Sequence, residues 1–535
     1  MFLKNRAQHI GTGVAVFMAV LFTYCGVALA TSGAAQTPTL DSQVDVDRPI
    51  VLQGDDSPLY LLIRFHAEEH AHANRPRPLV NLGLVLDRSG SMADAGKIEF
   101  LKKAASMVVD RLTRRDYLSV VEYDDVITLL WPSAPVEASY PIKQLIASLE
   151  PRGSTDLVGG MMRGADEVLA RREQLTGEGI IHRVLLLSDG LANQGVTDPR
   201  EIARLVRAAK EKGARISTIG LGRDYDEDLM QAIAENGGGN YYFVEHPNQM
   251  ARIFEHELET LFTTVAKDVE LHFRPSAHIR KVEVVSLDAA RAEDASRIEL
   301  ENFYAGEDRA LVLRVEPAAG AFASSGSTID IGRFELSYVD IETGQVASLV
   351  TPVAVTVSTD EAAISAAKNH DVIVETQLVE AERRHSDALK EYEAGNFDKA
   401  NALMTSLEKD IAERNDDLQD VRLKQKMEAV QVERDQMASA ETVADDRAVF
   451  LKGSKQRLYQ AQMGKRALYV LQVGDKGLEV ERLQEALASA GYYEGPVDGL
   501  YSAEVSAAVE AYQADKSLGA DGVAGPATMQ SLGLY

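Results

Sequence analysis

The stretch Leu79-Val80-Asn81-Leu82-Gly83-Leu84-Val85-Leu86 shows no clean alternation of polar and apolar residues. A run of that kind reads as a strand buried on both faces, the condition of a central strand in a parallel sheet. It ends on Asp87-Arg88-Ser89-Gly90-Ser91, and an amphipathic segment follows over residues 97–114. Asp87, Ser89 and Ser91 are therefore expected at the carboxyl end of a central strand, where open α/β sheets hold their ligands. One carboxylate and two hydroxyls are small oxygen donors, suited to a hard divalent cation.

Two later stretches extend the set. Gly153-Ser154-Thr155-Asp156-Leu157 reads as a loop before a helix, and Val184-Leu185-Leu186-Leu187-Ser188-Asp189-Gly190 as a second buried strand ending in a carboxylate. In this order the three motifs resemble the metal-ion-dependent adhesion site of von Willebrand factor A domains, over residues 79–266. The resemblance implies that Asp87, Ser89, Ser91, Thr155 and Asp189 surround a Mg²⁺ ion (or Mn²⁺ or Ca²⁺), some directly and some through water. It also implies a coordination position left for a carboxylate donated by a protein partner, which is binding chemistry rather than catalysis. Strands expected at 80–86, 118–123, 127–131, 183–187, 215–219 and 241–244 alternate with helices at 97–114, 142–149, 156–172, 199–212, 227–235 and 249–264. That alternation predicts a doubly wound, Rossmann-like α/β domain. Gly220-Leu221-Gly222 lacks the third glycine of a dinucleotide fingerprint and reads as a strand-to-helix turn.

Residues 267–358 change character. Alternating stretches separated by Gly, Pro and Asp turns predict an antiparallel β-sandwich. Leu59-Tyr60-Leu61-Leu62-Ile63-Arg64-Phe65 has no mate in the α/β domain and is assigned to this sandwich as its first strand, within a lead-in over 31–78 that is otherwise loose. The A domain is then inserted in the sandwich. His66, His70 and His72 with Glu68 and Glu69 match no zinc spacing and read as a polar connector. Residues 359–465 are charged and helical and are expected to act as a spacer. Within them, Ala388-Leu389, Tyr392, Gly395, Phe397 and Ala400 resemble one tetratricopeptide hairpin, and a single repeat cannot bury its own face.

Residues 468–535 carry a second resemblance, to the small all-α peptidoglycan-binding domain. Val480, Leu483-Gln484, Leu487, Gly491-Tyr492-Tyr493, Asp498-Gly499, Tyr501, Ala508-Val509, Tyr512-Gln513, Asp521-Gly522, Gly525-Pro526 and Thr528 carry it. Ser502, Val505 and Tyr512 stand where Gly, Thr and Phe are usual. The resemblance implies peptidoglycan as a partner, although such a module sometimes serves others.

Lys4 and Arg6, the apolar run 13–30 and Ala28-Leu29-Ala30 read as a cleaved export signal over residues 1–30. An uncleaved signal anchor, the alternative, would put the chain on a membrane. Cys25, the only cysteine, lies inside that run behind a bulky Tyr24, so lipidation is not expected and the mature chain would carry no thiol. The net charge of −26 disfavours nucleic acid and anionic membranes as partners. The chain has no Gly-x-Ser-x-Gly elbow and no His-Glu-x-x-His motif. Those absences favour a non-enzymatic protein of the periplasm or cell envelope that binds a protein through metal and the wall through its tail. The alternative class is a cell-wall hydrolase, or a regulator of one, recruited by that tail.

Overall fold

The computed structural model describes residues 38–535 except 69–76, 176–178, 190–191, 223–224, 245–249, 287–295, 441–443, 463–470, 472, 474–477, 517, 519, 521, 533 and 535. The export signal, Glu69, His70 and His72 of the polar connector, Gly190 and Asp521 lie outside the described residues. Among those described, no helix is long and apolar enough to cross a membrane.

Three strands come first: β1 (Leu40–Val46), β2 (Ile50–Leu52) and β3 (Leu59–Ala67). The lead-in is thus not loose. β1 pairs antiparallel with β3 over its whole length. Leu40 and Val46 are buried while Asp41 faces solvent, so acidic residues on the outward face of an edge strand hide its alternation.

The α/β unit follows as β4 (Leu79–Asp87), α1 (Lys97–Arg111), β5 (Tyr117–Tyr123), β6 (Ile127–Pro135), α2 (Ser139–Ala147), α3 (Leu157–Arg172), β7 (Ile180–Ser188), α4 (Pro199–Glu211), β8 (Arg215–Leu221), α5 (Glu227–Gly237), β9 (Gly238–Val244) and α6 (Met250–Phe262). The sheet order is β6-β5-β4-β7-β8-β9, and all neighbours are parallel except β6 against β5. Period-two geometry sends Val80, Leu82, Leu84 and Leu86 into one core with Leu101, Val108, Ile146 and Phe254. Val85 points the other way, into a second core with Met161, Val168, Val206 and Ile233. Both faces of β4 are covered, which is why its sequence does not alternate. Helix α3 lies close on the sheet because it presents glycines there. A Cβ on Gly164 would stand 2.3 Å from a methyl of Val85, and one on Gly160 would stand 2.6 Å from the Tyr123 ring.

On β7, His182 accepts through Nδ1 from the Asn81 side chain at 3.0 Å, a bond that requires the neutral ring. Burial, then the nearby Lys267 and Arg172, push its pKa from 6.5 down to about 4. A histidine depressed in the fold stabilises above its unfolded pKa, and that contribution is lost as pH falls through the folded value. Stability on the order of 2–3 kcal/mol should therefore disappear between about pH 6.5 and 4. Denaturant midpoints of the wild type and His182→Asn across this window should show the flatter profile in the variant.

The chain continues through β10 (Thr264–Pro275), β11 (Ile279–Val284), β12 (Ile298–Tyr304), β13 (Asp308–Pro317), β14 (Thr328–Asp340) and β15 (Val346–Ser358). These strands form two sheets with the first three, in the orders β1-β3-β13-β11 and β12-β10-β14-β15-β2. Leu61, Ile63 and Phe65 of β3 share a core with Leu271, Phe273, Leu313, Phe334 and Val355. The pairing is not wholly antiparallel: β2 runs parallel to β15 through Thr356–Ile50, Val357–Val51 and Ser358–Leu52.

Helices α7 (Glu361–Ala366), α8 (His370–Glu393), α9 (Phe397–Leu418), α10 (Val421–Ala440) and α11 (Ala444–Gln462) come next. Gly395 turns α8 into α9 at φ +80, with Ala388, Tyr392 and Ala400 buried between helices. These helices are not a free spacer. Val372 of α8 is buried against Leu62 and Val312 of the sandwich. From α11, Lys452 Nζ donates to Tyr225 O at 2.7 Å and Tyr459 Oη to Gly239 O at 3.1 Å. The packing residues include buried Lys452, His385 and Glu433; His385 faces Glu433 at 3.3 Å and Lys452 reaches out to Tyr225 O, so the segment reads as charged and solvated although these charges are paired in the fold.

The tail contains α12 (Leu478–Ser489), α13 (Ala503–Asp515) and α14 (Pro526–Ser531). Val480, Leu483, Leu487, Tyr501, Val509, Tyr512 and Met529 make its core. Two of the three departures have visible uses. Ser502 caps α13 by accepting from Val505 N, and Tyr512 Oη donates to Ser531 O at 2.7 Å.

Candidate metal centre

The carboxyl ends of β4 and β7 lie side by side, and parallel pairing sets their registers, Leu86 opposite Leu187. Asp87 and Asp189 are both fully buried there. Asp87 Oδ1 accepts from Ser89 N at 2.8 Å, which turns the chain back at once and holds Ser89 under the strand end. Ser89 Oγ lies 3.2 Å from Ser91 Oγ, and Ser91 Oγ donates to Asp189 Oδ1 at 2.7 Å. Four of the five expected residues thus form one connected cluster of oxygens.

Thr155 is brought in by backbone bonds. Arg152 N donates to Arg88 O at 2.8 Å and Gly90 N to Gly153 O at 3.1 Å, stitching its loop to the Asp87–Ser91 turn. Asn193 Oδ1 accepts from Thr155 N at 2.9 Å, and Asn193 N and Gln194 N donate to Thr155 O. Thr155 is 3% exposed, held between three loops. Gly153 adopts φ +71 within this turn, and a Cβ there would stand 2.0 Å from Asp125 Oδ1.

Sequence reasoning missed the groups that support this cluster. Ser188 Oγ donates to Asp87 Oδ2 at 2.7 Å, and Tyr123 Oη lies 3.3 Å from the same oxygen while donating to Leu187 O at 2.8 Å. Ser188 was legible as the residue before Asp189. Asn193 had no signal, because its partner is a backbone N–H distant in sequence. Lys97 Nζ donates to Asp189 Oδ2 at 2.6 Å. Outside the cluster, Asp124, fully buried, pairs with Arg88 at 3.0 Å and Arg152 at 2.7 Å, binding the turn to the Thr155 loop.

The electrostatics follow from two buried carboxylates at one strand edge. Burial first, then the charge of Asp189, push the Asp87 carboxyl up to about 6. The fully buried Tyr123 hydroxyl is raised well above its ordinary value, by burial and then by Asp87. A metal fits this donor set on chemical grounds, since a divalent ion would relieve the repulsion and the donors are all hard oxygens. The set holds only two carboxylates, and among the described residues no three His, Cys, Asp or Glu gather as a metal cluster. Of the polar connector, His66 Nδ1 meets Asp308 Oδ1 at 2.7 Å on the surface.

Residues 81–256 match the von Willebrand factor type A domain, and residues 476–532 match the peptidoglycan binding domain. The uncharacterized protein YfbK of Escherichia coli (strain K12) is 31% identical over 204 residues, covering 37% of this chain and 34% of that protein. The match thus spans about a third of that relative's length. An uncharacterized protein of Synechocystis is 26% identical over 309 residues, 56% of this chain and 70% of that one. Among solved structures, a von Willebrand factor type A protein from Catenulispora acidiphila superposes with a TM-score of 0.57 at 18% identity. It covers 73% of this chain and 90% of that one, a likeness of fold.

Proposed function

We propose that this chain, which carries a von Willebrand factor type A domain and a C-terminal peptidoglycan binding domain, is an exported, non-enzymatic protein of the periplasm or cell envelope. Its A domain captures a protein partner at a divalent metal, Mg²⁺ or a similar hard cation, and its tail holds the chain on peptidoglycan. Asp87, Ser89, Ser91, Thr155 and Asp189 are the residues that would hold the metal. The observation that carries the reading is the oxygen cluster itself, in which Ser91 bridges Ser89 and Asp189 at the mouth of a sheet covered on both faces.

Bound there, a divalent ion would offer an electrophilic position to a carboxylate of the partner. The residues of this chain do the rest. Ser188 and the Ser89 amide orient Asp87. Asn193 fixes Thr155, and Asp124 ties the two loops together through Arg88 and Arg152. Three hydroxyls and two carboxylates leave the site far from saturated with anions, which suits the capture of one more.

The chain order, with the A domain between β3 and β10, supports a head carried on the sandwich. The helices packed on the sandwich and on the head would fix the head's direction while the tail holds the wall. The test is a pull-down of the full chain from envelope extract, with Mg²⁺ and with chelator. A protein retained only with Mg²⁺ is the expected result. Identical retention in both would remove the metal from the binding mechanism.

A further inference from the structure

Lys97 is the first residue of α1, and the N-terminal end of a helix is an unfavourable place for a cation because it carries the positive end of the helix dipole. The side chain does not escape to solvent: the residue is 7% exposed. Its ammonium is spent on one oxygen of Asp189, at 2.6 Å, while the other oxygen accepts from Ser91 at 2.7 Å. The path that takes it there is built into the backbone. Ala95 at φ 51 and Gly96 at φ 72 are consecutive left-handed residues that swing the chain into α1. At the end of β8, Gly222 at φ +81 faces the lysine's tip. A Cβ on Gly222 would already touch Cε and Nζ at 3.4 and 3.5 Å, so the lysine fills the space that a larger residue would need.

We propose that Lys97 is a tethered cation of the metal site, standing in for the ion's charge at Asp189 when metal is absent and lowering the site's affinity for it. The inference rests on the reading of Asp87, Ser89, Ser91, Thr155 and Asp189 as a metal site. Asp87 and Asp189 bring two negative charges, and Lys97 returns one. An arriving divalent ion thus meets a site of net charge −1 and a buried ammonium beside one of its ligands. Such a site binds its metal less tightly and leaves it less neutralised, hence more attractive to a partner's carboxylate. The lysine also keeps the paired carboxylates from standing uncompensated in the metal-free protein.

The test is titration calorimetry of the full chain with MnCl2, comparing wild type, Lys97→Gln and Lys97→Arg, together with thermal unfolding in EDTA and in saturating Mn²⁺. The glutamine variant keeps a donor for Asp189 without the charge and should bind Mn²⁺ at least about tenfold more tightly. The arginine variant should stay close to wild type. In EDTA the glutamine variant should melt below wild type, and Mn²⁺ should close most of that gap. Equal or weaker Mn²⁺ binding by Lys97→Gln, beside a wild type that binds, overturns the role of Lys97. So does a glutamine variant that is unfolded with and without Mn²⁺, since the lysine would then be only a core residue. A wild type that binds no Mn²⁺ overturns the metal reading itself, and this inference with it.

Discussion

Replacing Asp87 should remove divalent metal binding altogether. Asp87 is the fully buried carboxylate from which the cluster is built, supported by Ser188 and the Ser89 amide. Asp87→Ala deletes an anionic ligand and leaves hydroxyls, which hold a hard cation weakly. Asp87→Asn is the sharper variant, because its amide oxygen still accepts from Ser89 N and so preserves the turn. Both should lose more than a hundredfold in Mn²⁺ affinity, about 2.7 kcal/mol or more. The fold should survive, since removing the charge also removes the repulsion from Asp189 that helps push the carboxyl up. Calorimetry with MnCl2 and circular dichroism decide the matter together. A folded Asp87→Asn protein that binds Mn²⁺ like wild type would sink the site assignment.

Gln484→Leu should unfold the tail and release the chain from the wall. Gln484 is fully buried, and its amide makes bonds in both directions. Its Oε1 accepts from Asp498 N at 3.1 Å and Gly499 N at 2.9 Å, and its Nε2 donates to Asp498 Oδ1 at 2.9 Å and Leu500 O at 3.2 Å. Leucine has nearly the same volume but would strand the buried Gly499 N–H and take the acceptor from Asp498 N, a cost of about 1–3 kcal/mol for the buried group alone. A domain of this size has only a few kcal/mol of stability to lose. Gln513 repeats the arrangement at the second turn, accepting from Gly522 N at 3.0 Å and donating to Val523 O at 2.8 Å. Sedimentation with wall sacculi should fail for Gln484→Leu, in Mg²⁺ and in chelator alike, while Mn²⁺ binding by the A domain persists. Sedimentation undiminished by the substitution would show that wall attachment does not depend on the folded tail.

The buried strands of the α/β unit, the residues at their carboxyl ends and the apolar faces of the tail helices could be read directly. Each depends on a local rule: a strand covered on both faces cannot alternate, and a helix that buries one face repeats every three to four residues. Asp87, Ser89 and Ser91 sit within five residues of one strand end, so local geometry alone brings them together.

Other features were settled by partners far along the chain. β1 could not be read because one covered face leaves acidic residues on the other, and β2 because it is only three residues long; their mates lie in β3 and β15. The helices after β15 looked like a spacer because their burial is shared with β3, Tyr225 and Gly239. Asn193 acquires its role only when the β7–α4 loop meets the Thr155 loop. Lys97 acquires its role only when β8 ends in a glycine beside it. The sequence by itself determined which segments become buried strands and where their polar ends lie, because burial of the backbone dictates that pattern residue by residue. Only the tertiary structure decided which polar groups meet there, because a hydrogen bond or ion pair between distant segments leaves no periodicity in either one.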